Sequence, residues 1–179
     1  MGGVMADARY LSWFEQWFGD ADTLTWCSAA SSRDVLAAYG MAAVPLETGR
    51  MTELMEWRLL AGHVGDRMLV VQTNGCPGDE VLDQLARFGP ALSVQWSDTA
   101  PPAVTYLEEG QVVAAFDPFE LEFNSVPDVG AVERWLAGTP AGRQMWEEDW
   151  ALAVLFTAEA LCGEAVDDVW VRRSHTVVR

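Results

Sequence analysis

Residues 56–75, EWRLLAGHVGDRMLVVQTNG, decide the fold. Two apolar runs, 56–64 and 67–72, are separated by Gly65-Asp66, and a two-residue Gly-X link is what a type II′ hairpin turn requires. An antiparallel pair is expected here rather than a parallel crossover unit. Upstream, residues 23–27 (TLTWC) read as a short strand. Downstream, residues 74–78 (NGCPG) are turn chemistry. Asp79 then stands where an N-cap belongs, with Val81, Leu82, Leu85 and Phe88 on one helical face. Leu92, Val94 and Trp96 alternate with Ser93, Gln95 and Ser97, the pattern of a half-buried strand. Residues 103–108 and 111–116 make a second hairpin around Glu109-Gly110.

Helices frame these strands. Residues 7–18 place Tyr10, Trp13, Phe14, Trp17 and Phe18 on one face. Residues 33–39 form a second helix, capped by Ser31 or Ser32 and stopped at Gly40, and residues 45–52 are loop-like. Asp128 caps a short helix holding Val132, Trp135 and Leu136. A longer helix covers 146–162; it is apolar nearly all round after Trp150 and therefore buried. The expectation is one α+β domain over residues 1–170: an antiparallel sheet of five or six strands with N-terminal, middle and C-terminal helices packed on it. Residues 171–179, VRRSHTVVR, are expected to be a short, flexible basic tail.

Charge limits the function. The 179 residues hold 27 Asp plus Glu against 11 basic residues, a net charge of −16, and every basic residue is Arg. The absence of Lys excludes a Lys Schiff base and a Lys-containing phosphate loop. The acidity argues against nucleic-acid binding, which needs phosphates neutralised. Without the last nine residues, eight Arg face the same 27 acids, so the body carries −19. The N-terminus has neither a basic start nor an apolar run, and the longest apolar stretch, 150–158, falls far below the ~20 residues that span a bilayer. Three cysteines, Cys27, Cys76 and Cys162, lack framework spacing. Free thiols, a reducing cytoplasm and no membrane association are expected.

No assembled catalytic set is visible. His63 lies within a strand and His175 in the tail, no Ser is framed as a nucleophile elbow, and the Cys and His residues are too scattered for a metal site. No metal or other cofactor is expected. The loop 75–78 lacks both Lys and the glycine spacing of a phosphate cradle, and Pro77 removes a donor. Cys27 reads as core, and Cys76 sits in a turn that can be exposed. Glu147, Glu148 and Asp149 are explained as first-turn helix acids favoured by the macrodipole. The remaining carboxylates are Glu108 and Glu109 on a hairpin turn, and Asp117, Glu120 and Glu122 in a segment where Phe and acid alternate. With Trp96 these form a candidate acidic and aromatic rim for a basic partner. Trp170, beside Asp167 and Asp168, is expected to be the most exposed tryptophan.

The order of features resembles a family of small actinobacterial domains of unknown function. It is carried by the early WF…WF helix, TLTWC, SSRDVLAAYG, the 57–75 hairpin and VVAAFDP, over roughly residues 8–120. Asn74-Gly75 and Phe116-Asp117-Pro118 match best. The resemblance implies no activity and no catalytic residues, and it suits a high-GC source in which Arg replaces Lys. The leading expectation is a non-enzymatic, cytoplasmic interaction protein of the immunity or adaptor kind that binds a basic protein. The alternatives are a small-molecule-binding or hydrolytic domain, with a pocket lined by Trp96, Phe116 and Asp117, and a structural subunit of a homo-oligomer.

Overall fold

The computed structural model describes Phe14 and residues 21–56, 58–124, 126, 128 and 130–179. It is an α+β structure with one antiparallel sheet. Among the described residues the sheet has nine strands rather than five or six, in the order β2-β9-β3-β4-β1-β5-β6-β7-β8. In chain order the elements are β1 (Ala21–Cys27), α1 (Ser32–Ala38), β2 (Glu47–Arg50), a 3₁₀ turn (Met51–Glu56), β3 (Leu59–Val64), β4 (Arg67–Thr73) and α2 (Asp79–Ala86). There follow β5 (Ala91–Ser97), β6 (Ala103–Glu108), β7 (Gln111–Asp117), β8 (Glu120–Asn124), α3 (Ala131–Gly138), α4 (Gly142–Glu148), α5 (Trp150–Cys162), α6 (Asp168–Arg172) and β9 (Ser174–Val178). The helix expected over 7–18 lies outside the described residues, apart from Phe14.

The hairpins form as their turns dictate. Val64 pairs with Arg67 across Gly65-Asp66. Gly65 takes φ +55 and Asp66 does not go positive, the pattern of a type II′ turn. A Cβ at Gly65 would also lie 2.2 Å from the Cys162 carbonyl oxygen, so the end of α5 packs on bare backbone. Glu109 and Gly110 both take positive φ, as a type I′ turn needs, and Glu108 pairs with Gln111.

Alternation along the strands splits the core in two. Leu24 and Trp26 of β1, Leu92 and Val94 of β5, and Phe116 of β7 face a front layer formed by α3 to α6. Cys27, Met68 and Val70 face a back layer formed by α1 and α2. On that side a buried hydroxyl pair, Thr25 with Ser93, meets at 2.9 Å. Among the described residues no helix is long and apolar enough to cross a membrane.

Several local expectations are corrected. Residues 47–50, read as loop, form β2, because their partners are supplied by the distant β9. Residues 174–178, read as flexible tail, form β9, which pairs on both sides, with β2 and with β3. Trp170 is 3% exposed rather than partly open. Its indole N–H donates to the His63 carbonyl at 2.6 Å, and the His175 ring stacks on it at 4.1 Å. Gly78, not Asp79, caps α2, and Phe88 falls beyond that helix and is exposed.

The helix read as 146–162 is two helices. Asp149 leaves helical geometry and its carboxylate accepts from the Leu152 amide at 3.0 Å, capping α5. Glu147 and Glu148 therefore close α4. They sit at its C-terminal end, where the macrodipole disfavours acids.

Candidate functional site

The site begins at a turn. Asp117-Pro118-Phe119-Glu120 joins β7 to β8, with Asp117 opposite Glu120. Asp at the first position and Pro at the second is type I chemistry. The Asp117 carboxylate accepts from the Phe119 amide at 2.8 Å, and neither Pro118 nor Phe119 takes a positive φ. A type I link splays a hairpin, and the β7–β8 register slips between Phe116 and Asp117. The turn pushes Phe119 outward to 68% exposure, well beyond any other large apolar side chain among the described residues.

Behind this turn, β8 faces the α4–α5 junction across a groove of about 420 Å³. Phe119, Glu120 and Glu122 line one side, and Glu147, Glu148 and Trp150 the other. Phe119 meets Trp150 edge to face at 6.2 Å. Trp146 also lines the groove but is 1% exposed, wedged against Phe116 at 5.4 Å and Trp135 at 5.7 Å. Its indole N–H has no hydrogen-bond partner among the described residues.

Among the described residues one cation, Arg143, lines the groove, and it is already engaged. It pairs with Glu133 and, at 2.7 Å, with Glu147. Glu148 receives the Gln144 amide at 2.8 Å. Glu120 and Glu122 are exposed and make no ion pair among the described residues. Residues 91–124 contribute six acids and not one basic residue, so no cation on this wing offsets them.

The structure groups some of the expected rim and separates the rest. Glu120 and Glu122 share the groove; Asp117 shapes the turn that leads into it. Glu108 and Glu109 lie at the opposite end of β7, a seven-residue strand, and so about 20 Å away. Trp96 stands behind the groove, packed on Trp150 at 6.3 Å and on Phe14 at 5.2 Å. Phe116 is core, 3% exposed. Trp96 borders a cleft of about 310 Å³ with Cys76, whereas Asp117 borders a wide back-face groove with Asp79 and Asp83.

Sequence reasoning missed Glu147, Glu148 and Trp150 as groove residues. The signal available was Asp149: an Asp within an apolar-periodic run is a cap in waiting, which turns the two preceding acids into a helix end.

Reactive groups are sparse. Burial pushes the Cys27 thiol up to about 11 and the Cys162 thiol up to about 12, so neither is a ready thiolate. Burial holds the His175 imidazole below its ordinary range, with the Trp170 carbonyl at 2.8 Å opposing and the Arg173 charge adding to the depression. Cys76 is exposed between two small clefts. No group of three or more His, Cys, Asp or Glu among the described residues is placed to hold a metal ion. No family model, curated protein or solved structure matches this chain.

Proposed function

We propose that this is a non-enzymatic, cytoplasmic interaction protein of the immunity or adaptor kind, which binds a basic protein partner at the groove between β8 and the α4–α5 junction. The observation that carries the reading is the pairing of an outward Phe119 with four carboxylates whose single neighbouring guanidinium among the described residues is occupied within the fold. An exposed aromatic beside Trp150 offers an anchor, and interface cores favour aromatic anchors. Glu147 and Glu148 sit against their own helix dipole, each with an i,i+4 partner on the helix, Arg143 for Glu147 and Gln144 for Glu148. Incoming Arg or Lys would find Glu120 and Glu122 accessible and without an ion pair among the described residues, which speeds encounter and selects the partner's sign.

The test uses a fluorescent Arg-rich peptide titrated against the full chain at about 50 mM and about 500 mM salt. Binding should weaken with salt, and by roughly tenfold or more in a Glu120→Lys/Glu122→Lys variant. A Glu108→Lys/Glu109→Lys variant makes the same charge change at the far end of the hairpin and should bind nearly as the parent does. Equal losses in the two variants would mean attraction by overall charge alone and would sink the assignment to this groove.

A further inference from the structure

Among the described residues β8 is a border strand: it pairs with β7 on one side and ends the sheet on the other. Sheet edges carry unpaired main-chain donors and acceptors and attract further strands. The opposite border, β2, is tied to its own fold by side chains. Glu47 there is held by Arg179 at 3.0 Å, and the Arg50 amide donates to Glu53 at 3.2 Å. β8 instead runs beside the groove, so a strand laid against it would enter a walled channel and not open solvent.

The side chains of β8 state what such a strand must carry. Glu120 and Glu122 are exposed while Leu121 between them is 6% exposed and joins the front core. Acids two residues apart lie on one side of a strand, and residues directly opposite on a neighbour repeat with the same period. A second copy of β8 would set Glu against Glu, a like-charge pairing that destabilises. Arg or Lys at every second position meets both acids with opposite sign. The intervening residues then fall on the side of Leu121 and the front layer, where Phe119 and Trp150 offer apolar surface. Glu147 and Glu148 deepen the negative field along the approach.

The geometry points to β8 as an acceptor edge: an extended protein segment, basic at alternate positions and apolar between them, adds to it as a further antiparallel strand. This rests on the groove being the basic-partner site and narrows it from charge to strand register.

The probe is a capped synthetic peptide of alternating Arg and Val, measured against the full chain by fluorescence anisotropy and by amide hydrogen exchange. It should bind roughly tenfold more tightly than a peptide of the same composition with its Arg and Val in separate blocks. It should also slow exchange across residues 120–124. Two N-methylated forms, blocked at odd or at even positions, separate the edges of the incoming strand. One form should lose binding about tenfold, because only one set of amides faces β8, and the other should keep it. If both N-methylated forms or the block peptide bind as the parent does, strand addition is overturned while the groove remains a basic-partner site. If Glu120→Lys/Glu122→Lys leaves even the alternating peptide unaffected, the groove reading falls, and strand addition with it.

Discussion

On one side of β1 the sheet is a meander: β5, β6, β7 and β8 follow one another in the chain and in space. On the other side β9 is threaded between β2 and β3, joining residues as far as 132 positions apart in the chain. The meander wing is held by turns. Its border is acidic, and Phe119 stands outward, unburied. The threaded wing is held by long-range contact: Arg179 answers Glu47, and Trp170 and His175 stack inside it. Local connection leaves a border free to carry function, whereas threading uses the border's own charges to close the fold.

The sharpest way to break this comparison is to remove β9. A chain ending at Arg173 should lose cooperative thermal unfolding and near-ultraviolet signal, because β2 and β3 each lose a hydrogen-bonded neighbour. Were residues 174–179 a loose tail, the truncated chain would melt as the full one does.

A smaller effect is expected at Gly62. A Cβ there would stand 2.2 Å from His175 Nδ1 and 2.9 Å from the Trp170 ring. Gly62→Ala should cost about 1–3 kcal/mol by overpacking, read as a fall in the chemical-denaturation midpoint with unchanged slope. An unchanged midpoint would show that the Trp170–His175 stack yields without cost, and that the threaded wing is not rigidly held.

The smallest expected effect is in pH. Burial depresses the folded-state pKa of His175, so the unfolded chain takes up its proton first. Its contribution is complete above the unfolded value of about 6.5 and is lost as pH falls from there towards the folded value. Denaturation at about pH 7.5 and about pH 5 should show the parent losing more stability than a His175→Asn variant. A difference between the two that stays constant with pH would mean that this histidine is not held neutral. Groups on the meander wing enter both proteins equally and cancel.

What the sequence disclosed follows the same division. Gly65-Asp66 and Glu109-Gly110 announce their hairpins because turn chemistry is local, and the strands beside them were placed within a few residues. β2 is four polar residues, ETGR, with no alternation of its own; it is a strand only because Thr176 and Val177 lie opposite. β9 has a strand pattern in SHTVV, but its position in the chain favoured disorder, and nothing local reveals a partner far upstream. The same reasoning applies to the site. Glu120 and Glu122 could be picked out because they alternate with Leu121 and Phe123. Which carboxylates converge depended on where α4 ends, and that depended on the Asp149 cap.

Threading also sets an order of events during synthesis. The meander can pair as it emerges, each strand meeting the one made just before it. The other wing has to wait with β2 unsupported and one side of β3 open until Val178 clears the ribosome. Through that interval the nascent chain presents two vacant borders, one of them beside the apolar Leu59 and Leu60, to any neighbouring chain that can pair with them. β9 thus acts as the latch that closes both borders at once.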